Sequence, residues 1–419
     1  MRHRRLLLSL ALIEICLTVG ARAQDARALA AKAPPRSEQV VAERSPLLFY
    51  LARGEDNACG EGCGEWIAAE GFFGVGSAQR LRTFLKTHSA GKLPIFFHSP
   101  GGLQSEALAI GRLMRERQMT AGVAKTVPAG CSITHATTGD SDKACRDVKR
   151  TGQKVAAELR AMDGSCNSAC VYALIGAKVR QVPPGAGLGV HSSKLVRVSR
   201  DGRVKMAAAG QNAQLATFNG QLRDYVRRMG VDAALFDTAA KVAPDQIHRL
   251  TRDEIARFGI DDRAFQETQW TVSEKPSQPL AVFKLVAEAK GANYKEFRLS
   301  ALRLSCASAD RIRTLYIRGL ASDEVGRTKV LKLAAGNRNW VFPRWRQLAS
   351  SEAIEAGGSF EALLAETPLE FFESAAAGGR IDIIEQEPPP STAPPRVISL
   401  SAVGLAHAVE VLRQRCGKT

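Results

Sequence analysis

The spacing of apolar residues changes several times along this chain, and each change indicates a different kind of element. Alternating or short, fully apolar runs predict strands, whereas apolar positions three and four residues apart predict amphipathic helices. Strands are predicted at Leu47–Leu51, Gly71–Val75 and Ile95–His98, and helices at Ala78–Lys86, Glu106–Arg117, Asn212–Met229 and Asp232–Ala240. This alternation of strands and helices predicts an α/β fold, a largely parallel sheet flanked by helices.

The pattern changes after about residue 274. Lys275–Pro279 has the composition of a linker, and Ala402–Arg415 has the spacing of an amphipathic helix. Strand-like runs between them are Phe297–Leu304, Thr314–Arg318, Leu369–Glu373, Arg380–Glu385 and Val397–Leu400. We therefore predict two domains, an α/β domain over 46–274 and a small α+β domain over 275–419, the latter an antiparallel sheet with one docked helix.

The first residues have the features of a secretory signal. A basic start is followed by the apolar stretch Leu6–Gly20 and by the small residues Ala21 and Ala23 around a cleavage position. We predict a signal peptide over 1–23, a linker over 24–45, and a mature protein that is periplasmic or secreted and has no stable membrane span.

Cysteine usage is consistent with export. Of the nine cysteines, Cys16 lies in the predicted signal, and the even number that remains suggests disulfides. Pairing of Cys131 with Cys145 would close a polar insertion predicted over 126–150, and pairing of Cys306 with Cys416 would tie the ends of the C-terminal region. Four other cysteines could pair locally or with each other: Cys59, Cys63, Cys166 and Cys170.

The formal net charge is +16, and the basic residues are scattered. The sequence has no basic stripe interleaved with stacking aromatics, so a nucleic-acid partner is not expected. A positive surface could favour an acidic envelope or acidic peptides. The Cys-x3-Cys pairs lack the histidines of a zinc site, and we predict neither a metal nor a cofactor.

Three segments carry candidate chemistry. A strand-like run ends in Ser99-Pro100-Gly101-Gly102, Ser168 opens the apolar helical run Val171–Ala177, and His191 follows a short strand. Each alone is commonly structural: a turn, a helix N-cap and a satisfied histidine. Together they supply a nucleophile at a helix N-terminus, a base, and a glycine loop that can bring backbone N–H groups to an oxyanion.

With these segments, residues 93–262 resemble the Clp-protease-like serine peptidases of the crotonase-type fold, most closely their secreted, periplasmic bacterial relatives. The matching segments are Ser99–Gly102, Ser168 with the following Cys170–Lys178, Leu188–His191, and Leu250–Asp261. The resemblance implies that Ser168 is the nucleophile and His191 the base. It further implies that Gly102 and Ala169 donate backbone N–H groups to the oxyanion, that the substrate is a peptide or protein, and that the chain could form a homo-oligomer.

The third member of the triad fits the family pattern less well. Asp245 is the nearest acid to the expected position, about two residues out of register, with Asp237 and Asp232 as alternatives. A triad is defined by its geometry, so a displaced acid could still serve, and a Ser–His dyad remains open.

Three functions follow from this comparison. The first is a secreted serine hydrolase, a peptidase with an acyl-enzyme intermediate. The second is a non-catalytic module that binds peptides or a protein partner in the same cleft. A crotonase acting on coenzyme-A thioesters is the third, and export removes its cofactor.

Overall fold

The computed structural model describes residues 45–131, 143–198, 204–206, 212–273, 280–291, 293–320, 330–341, 359–387 and 390–417. The predicted signal peptide, the predicted linkers apart from Ser45, and the middle of the predicted insertion lie outside these residues. Within the described ranges, no helix has both the length and the apolar character needed to span a bilayer.

A mixed sheet forms the centre of the first half of the chain. Its seven strands are β1 (Leu48–Arg53), β2 (Glu65–Glu70), β3 (Ile95–His98), β4 (Thr120–Val123), β5 (Lys125–Pro128), β6 (Val155–Arg160) and β8 (Val179–Gln181). They are ordered β5-β6-β1-β2-β3-β4-β8. The β1–β2 and β5–β6 pairs are antiparallel and the other pairs are parallel. The fold is therefore mixed α/β, as predicted, with a sheet that is less uniformly parallel than expected.

A smaller sheet crosses the end of β3. Its strands are β7 (Ser165–Asn167), β9 (Gly187–Val190) and β12 (His248–Arg249), in the order β12-β9-β7. A separate hairpin pairs β10 (Val196–Val198) with β11 (Val204–Met206). The residues between these two strands, 199–203, lie outside the described residues.

The helices of this half of the chain pack against the sheet through their apolar residues. They are α1 (Ser77–Thr87), α2 (Gln104–Glu116), α3 (Lys143–Val148), α4 (Ala169–Ile175), α5 (Asn212–Arg228), α6 (Ala234–Ala240) and α7 (Arg252–Arg257). Alternation along β3 divides the packing: Ile95 and Phe97 join the larger core, which includes α4, whereas Phe96 joins the core on the opposite face with Trp66.

The C-terminal part contains antiparallel sheets and two helices. One sheet comprises β13 (Phe265–Glu267), β14 (Thr271–Ser273), β15 (Ala281–Ala289), β16 (Phe297–Cys306), β17 (Arg311–Leu320) and β20 (Ser359–Pro368). The other comprises β18 (Val330–Ala335), β19 (Arg338–Val341), β21 (Arg380–Gln386) and β22 (Arg396–Ser401). The helices are α8 (Leu369–Gly378) and α9 (Leu405–Cys416). This part has its own core, although Ser45–Thr419 forms one compact unit by its contacts.

Three predicted elements differ from the structure. Gly71–Val75 is not a strand, because Phe72 and Phe73 make only isolated bridges. Leu369–Glu373 lies in α8 and not in a strand, since the buried positions there have helical spacing. The segment predicted as an insertion from residue 126 begins inside β5, so its first residues belong to the central sheet.

The structure contains four disulfides in the described chain: Cys59–Cys63, Cys131–Cys145, Cys166–Cys170 and Cys306–Cys416. The two longer-range pairs are the ones that the sequence offered as possibilities, and the remaining cysteines pair locally. Because such bonds persist in oxidising compartments, the four disulfides indicate a protein that works outside the cytoplasm.

Candidate active site

The glycine loop runs beside the strand that precedes Ser168. The Ser99 N–H donates to the Ser165 carbonyl at 2.7 Å, and the Asn167 N–H donates to the Ser99 carbonyl at 3.0 Å. Ser99 is fully buried, and its Oγ accepts the Gly101 N–H at 3.1 Å. These bonds fix the glycine loop against the end of β7, one residue before Ser168.

Two glycines in this loop are required by their surroundings. Gly101 has a φ of 105°, and a Cβ atom there would lie 2.7 Å from the Cβ of Ser168 and 3.2 Å from the backbone nitrogen of Ala169. Gly102 has a φ of 145°, and a Cβ there would lie 2.5 Å from the carbonyl oxygen of Phe73. The loop and Ser168 are therefore in direct contact, which only glycine at 101 permits.

Ser168 occupies the turn between β7 and α4 in an unusual backbone conformation. Its φ is 55° and its ψ is −122°, a region that costs a residue with a side chain about 1–3 kcal/mol and that is concentrated at functional sites. The residue is partly buried. A serine on a sharp strand-to-helix turn is the arrangement by which several hydrolases expose a nucleophile.

A disulfide spans this turn. Cys166 in β7 and Cys170 in the first turn of α4 are bonded across Ser168, and both are fully buried. The bond joins the strand before the serine to the helix after it, and so restricts how far the turn can open.

His191 follows the neighbouring strand. β7 and β9 are parallel with Asn167 opposite Gly189, and Ser168 continues the pairing by donating its N–H to the Gly189 carbonyl at 2.7 Å. Adjacent strands lie about 4.8 Å apart, so the backbone of His191 passes close to Ser168. The structure thus places the Ser168 turn against the glycine loop and beside the strand that leads to His191.

The imidazole of His191 is held by a backbone group. Its Nδ1 lies 2.8 Å from the carbonyl oxygen of Ser192. Because a carbonyl only accepts, this hydrogen bond places the proton on Nδ1 and leaves the lone pair of the neutral ring on Nε2. Among the hydrogen bonds of the described residues, none joins this ring to the Ser168 hydroxyl.

The three candidate acids have other surroundings or partners. Asp245 is exposed. Asp237 pairs with Arg223 at 2.9 Å, and Asp232 accepts the Ala234 N–H at 2.8 Å. In the part of the chain that the structure describes, none of the three makes a hydrogen bond or ion pair with His191. The ring nitrogen that an acid holds in a triad, Nδ1, is bonded here to the Ser192 carbonyl.

The predicted oxyanion donors are available. The Phe73 N–H donates to the Gly101 carbonyl, and the Leu103 N–H donates to the Phe73 carbonyl. Because Phe73 bonds the residues on either side of Gly102, the Gly102 N–H points away from Phe73. The Ala169 N–H stands at the start of α4, where the helix dipole favours negative charge. Across the described residues, neither N–H has a protein acceptor.

Sequence reasoning missed two residues that support the site. Glu106 accepts the backbone N–H groups of Gly76 and Ala78, each at 2.9 Å, and so anchors the loop that carries Phe73 beneath Gly102. His98, the last residue of β3, accepts the Ser165 N–H on its Nδ1 at 3.2 Å. The position of His98 directly before Ser99-Pro100-Gly101-Gly102 was the available signal.

No family model matches this chain. No curated protein matches it either. Among solved structures, two mutant forms of the 1510-N membrane-bound stomatin-specific protease are similar, one of them in complex with a substrate peptide. Both are 14% identical with a TM-score of 0.27, over 46% of this chain and 76% or 72% of theirs. A similarity this distant assigns neither a substrate nor a site residue.

Proposed function

We propose that this protein is an exported serine hydrolase, a peptidase of the Clp-protease-like type, with Ser168 as nucleophile and His191 as general base. The observation that carries the proposal is the conformation of Ser168, a positive-φ serine on a strand-to-helix turn in contact with Gly101. Strain of this kind persists only where the surroundings enforce it, and here two neighbouring strands and a disulfide do so.

The proposed reaction assigns one step to each of these groups. Nε2 of His191 takes the Ser168 hydroxyl proton as Oγ bonds to the peptide carbonyl carbon, and the carbonyl electron pair moves onto oxygen. The N–H groups of Gly102 and Ala169 stabilise that oxyanion. Collapse of the tetrahedral intermediate breaks the C–N bond, and His191 returns the proton to the leaving amine. Water, deprotonated by the same nitrogen, then hydrolyses the acyl-enzyme and regenerates Ser168.

In this proposal the Ser192 carbonyl has the orienting role that an acid has in a triad. It fixes the tautomer with the lone pair on Nε2, although it adds no negative charge to stabilise the imidazolium. Asp245 is exposed and, among the described residues, makes no hydrogen bond or ion pair with His191. The site would therefore work as a Ser–His dyad, with a lower rate than a full triad.

The test uses the full chain and a fluorophosphonate probe, with covalent labelling followed by intact mass spectrometry. We expect one adduct on the wild type, none on Ser168→Ala, and at least about a hundredfold slower labelling of His191→Ala. Ser193→Ala, next to the base region but without a proposed role, should label like the wild type. Labelling that persists in Ser168→Ala would exclude this nucleophile.

A second candidate is a non-catalytic peptide-binding module. It is favoured by one observation: within the described residues, His191 has neither a carboxylate partner nor a hydrogen bond to Ser168. Well-folded wild type that stays unlabelled from pH 6 to pH 9, yet binds extended peptides equally well as Ser168→Ala, would support this module over the hydrolase.

A further inference from the structure

Three hydrogen bonds join the last residue of β3 and the glycine loop to β7, the strand that directly precedes Ser168. Two of them run between main-chain groups of Ser99 and β7. In the third, the Ser165 N–H donates to Nδ1 of His98 at 3.2 Å. Ser165 therefore has its carbonyl and its N–H held by consecutive residues, Ser99 and His98. Only the His98 bond depends on a side chain, and only that bond depends on a proton.

We propose that His98 is a positioning residue whose neutral imidazole holds β7 in register, so that protonation of His98 at acid pH disorders the Ser168 turn. This inference rests on the proposed hydrolase function for its activity readout. Nδ1 can accept the Ser165 N–H only while it lacks a proton. Protonation would place two N–H groups face to face, three residues before the nucleophile.

The surroundings of His98 favour the neutral ring. Burial lowers its pKa below the ordinary value of 6.5. Four charged groups influence the pKa of His98. Glu70 in β2 and Asp163 before β7 raise the pKa, whereas Lys125 in β5 and Lys149 after α3 lower it.

Glu70 pairs with His98 in the β2–β3 register and also forms a buried ion pair with Lys149 at 2.7 Å and accepts the Thr126 N–H at 3.2 Å. Of the charged groups around His98 it has the largest influence, and it raises the pKa. Burial outweighs it, so the neutral ring and its hydrogen bond to Ser165 are maintained at neutral pH.

Two substitutions separate this role from simple packing. In His98→Asn, the amide oxygen can lie where Nδ1 lies and can accept the Ser165 N–H at any pH. His98→Leu retains bulk and removes the acceptor. At pH 8 we expect His98→Asn to label with fluorophosphonate at a rate close to that of the wild type, and His98→Leu about tenfold to a hundredfold more slowly, because the nucleophile is displaced.

The pH profile is the decisive measurement. In the wild type the neutral form of His98 is needed for labelling, so the logarithm of the labelling rate should fall more steeply at low pH in the wild type than in His98→Asn, where the acceptor does not depend on a proton. His407→Asn, an exposed histidine in α9, serves as the matched control and should retain the wild-type slope. Equal slopes in wild type and His98→Asn, or equal rates in His98→Leu and His98→Asn at pH 8, would overturn the proposal.

A stability measurement distinguishes failure of this inference from failure of the proposed function. Because the pKa of His98 is lowered in the folded state, its contribution to stability is present above pH 6.5 and is lost as the pH falls from there through the folded pKa. Over that window the wild type should lose unfolding free energy relative to His98→Asn. If the wild type never labels but this difference appears, the hydrolase proposal fails and the role of His98 stands. If labelling occurs without the difference, the reverse holds.

Discussion

The backbone N–H of Ser168 donates to the carbonyl oxygen of Gly189 at 2.7 Å. This one bond extends the parallel pairing of β7 and β9 into the turn, and it joins the segment that carries the proposed nucleophile to the segment that leads to the proposed base. Since His191 lies two residues after Gly189, this bond couples the position of the Ser168 turn to that of the segment that carries the imidazole. A substitution that displaces one of these two segments should therefore displace the other as well.

Gly101→Ala should abolish the proposed activity. The added methyl would lie 2.7 Å from the Asn167 carbonyl oxygen and from the Cβ of Ser168, and its backbone has a φ of 105°. We expect labelling by fluorophosphonate to fall at least about a hundredfold, and the free energy of unfolding to fall by about 1–3 kcal/mol, as measured in urea.

Gly130→Ala is the matched control for that substitution. Gly130 also has a positive φ, 79°, but no atom lies within 4 Å of an added Cβ. It should cost about 1 kcal/mol of backbone strain and leave the labelling rate unchanged. If both glycine variants lose activity equally, contact with Ser168 is not the cause.

The disulfide across Ser168 should matter more for activity than the other short disulfide. Replacement of Cys166 and Cys170 by alanine frees the turn, whereas replacement of Cys59 and Cys63 frees a loop away from it. Each double variant should lose about 2 kcal/mol of unfolding free energy. Only the first should also label about tenfold more slowly, because the turn then samples other conformations. Equal labelling of the two variants would show that the disulfide has no part in holding Ser168.

The sequence placed the central features of the site because they depend on local patterns. A strand that ends in a glycine loop, and a serine at the start of an apolar helix, are visible along the chain without knowledge of the fold. The partner of the His191 ring was not visible, since it is the backbone carbonyl of Ser192 and no residue type identifies it. A search for an acidic side chain therefore led to Asp245, which the structure leaves exposed.

The errors in the fold have a similar origin. β2 (Glu65–Glu70) is absent from the predicted strands, because it has buried residues on both faces and charged residues at its two ends and so shows no alternation. Leu369–Glu373 is rich in apolar and aromatic residues, a composition that favours a strand, but Phe372 and Ala375 pack together into the C-terminal core on one side of a helix. In both segments, tertiary packing and not the local sequence pattern determines the secondary structure.

Glu106→Gln should slow the proposed reaction without touching the reacting groups. The carboxylate accepts two backbone N–H groups, one on each oxygen, and an amide can accept only one of them. The loop that supports Gly102 through Phe73 would then be less fixed, with a loss of about 1–2 kcal/mol in unfolding free energy. Labelling should slow severalfold, whereas Glu116→Gln, at an exposed position near the end of the same helix, should match the wild type. If Glu106→Gln is less stable than the wild type but labels at the same rate, the loop that Glu106 anchors does not position the Gly102 N–H for the oxyanion.

Glu385 should contribute a pH-dependent part of the stability of the C-terminal core. It is buried, and it accepts hydrogen bonds from Arg396 at 2.9 Å, Tyr316 at 2.9 Å and Arg318 at 3.2 Å. Burial alone would raise the pKa of this carboxyl, but the charges of Arg396 and Arg318 outweigh it and hold the pKa below the ordinary 4.5.

A carboxyl with a lowered folded-state pKa stabilises fully above its unfolded pKa and loses that contribution as the pH falls from about 4.5 through the folded value. Glu385→Gln should therefore lose about 3 kcal/mol of unfolding free energy at pH 7, because the buried Arg318 and the partly buried Arg396 lose a shared partner. Its stability should then fall less steeply than that of the wild type below pH 4.5. Urea unfolding from pH 7 to pH 3 measures both effects, and Glu366→Gln, an exposed position in β20, should follow the wild-type curve. A Glu385→Gln curve parallel to wild type throughout would show that this carboxyl does not contribute to the acid sensitivity of the fold.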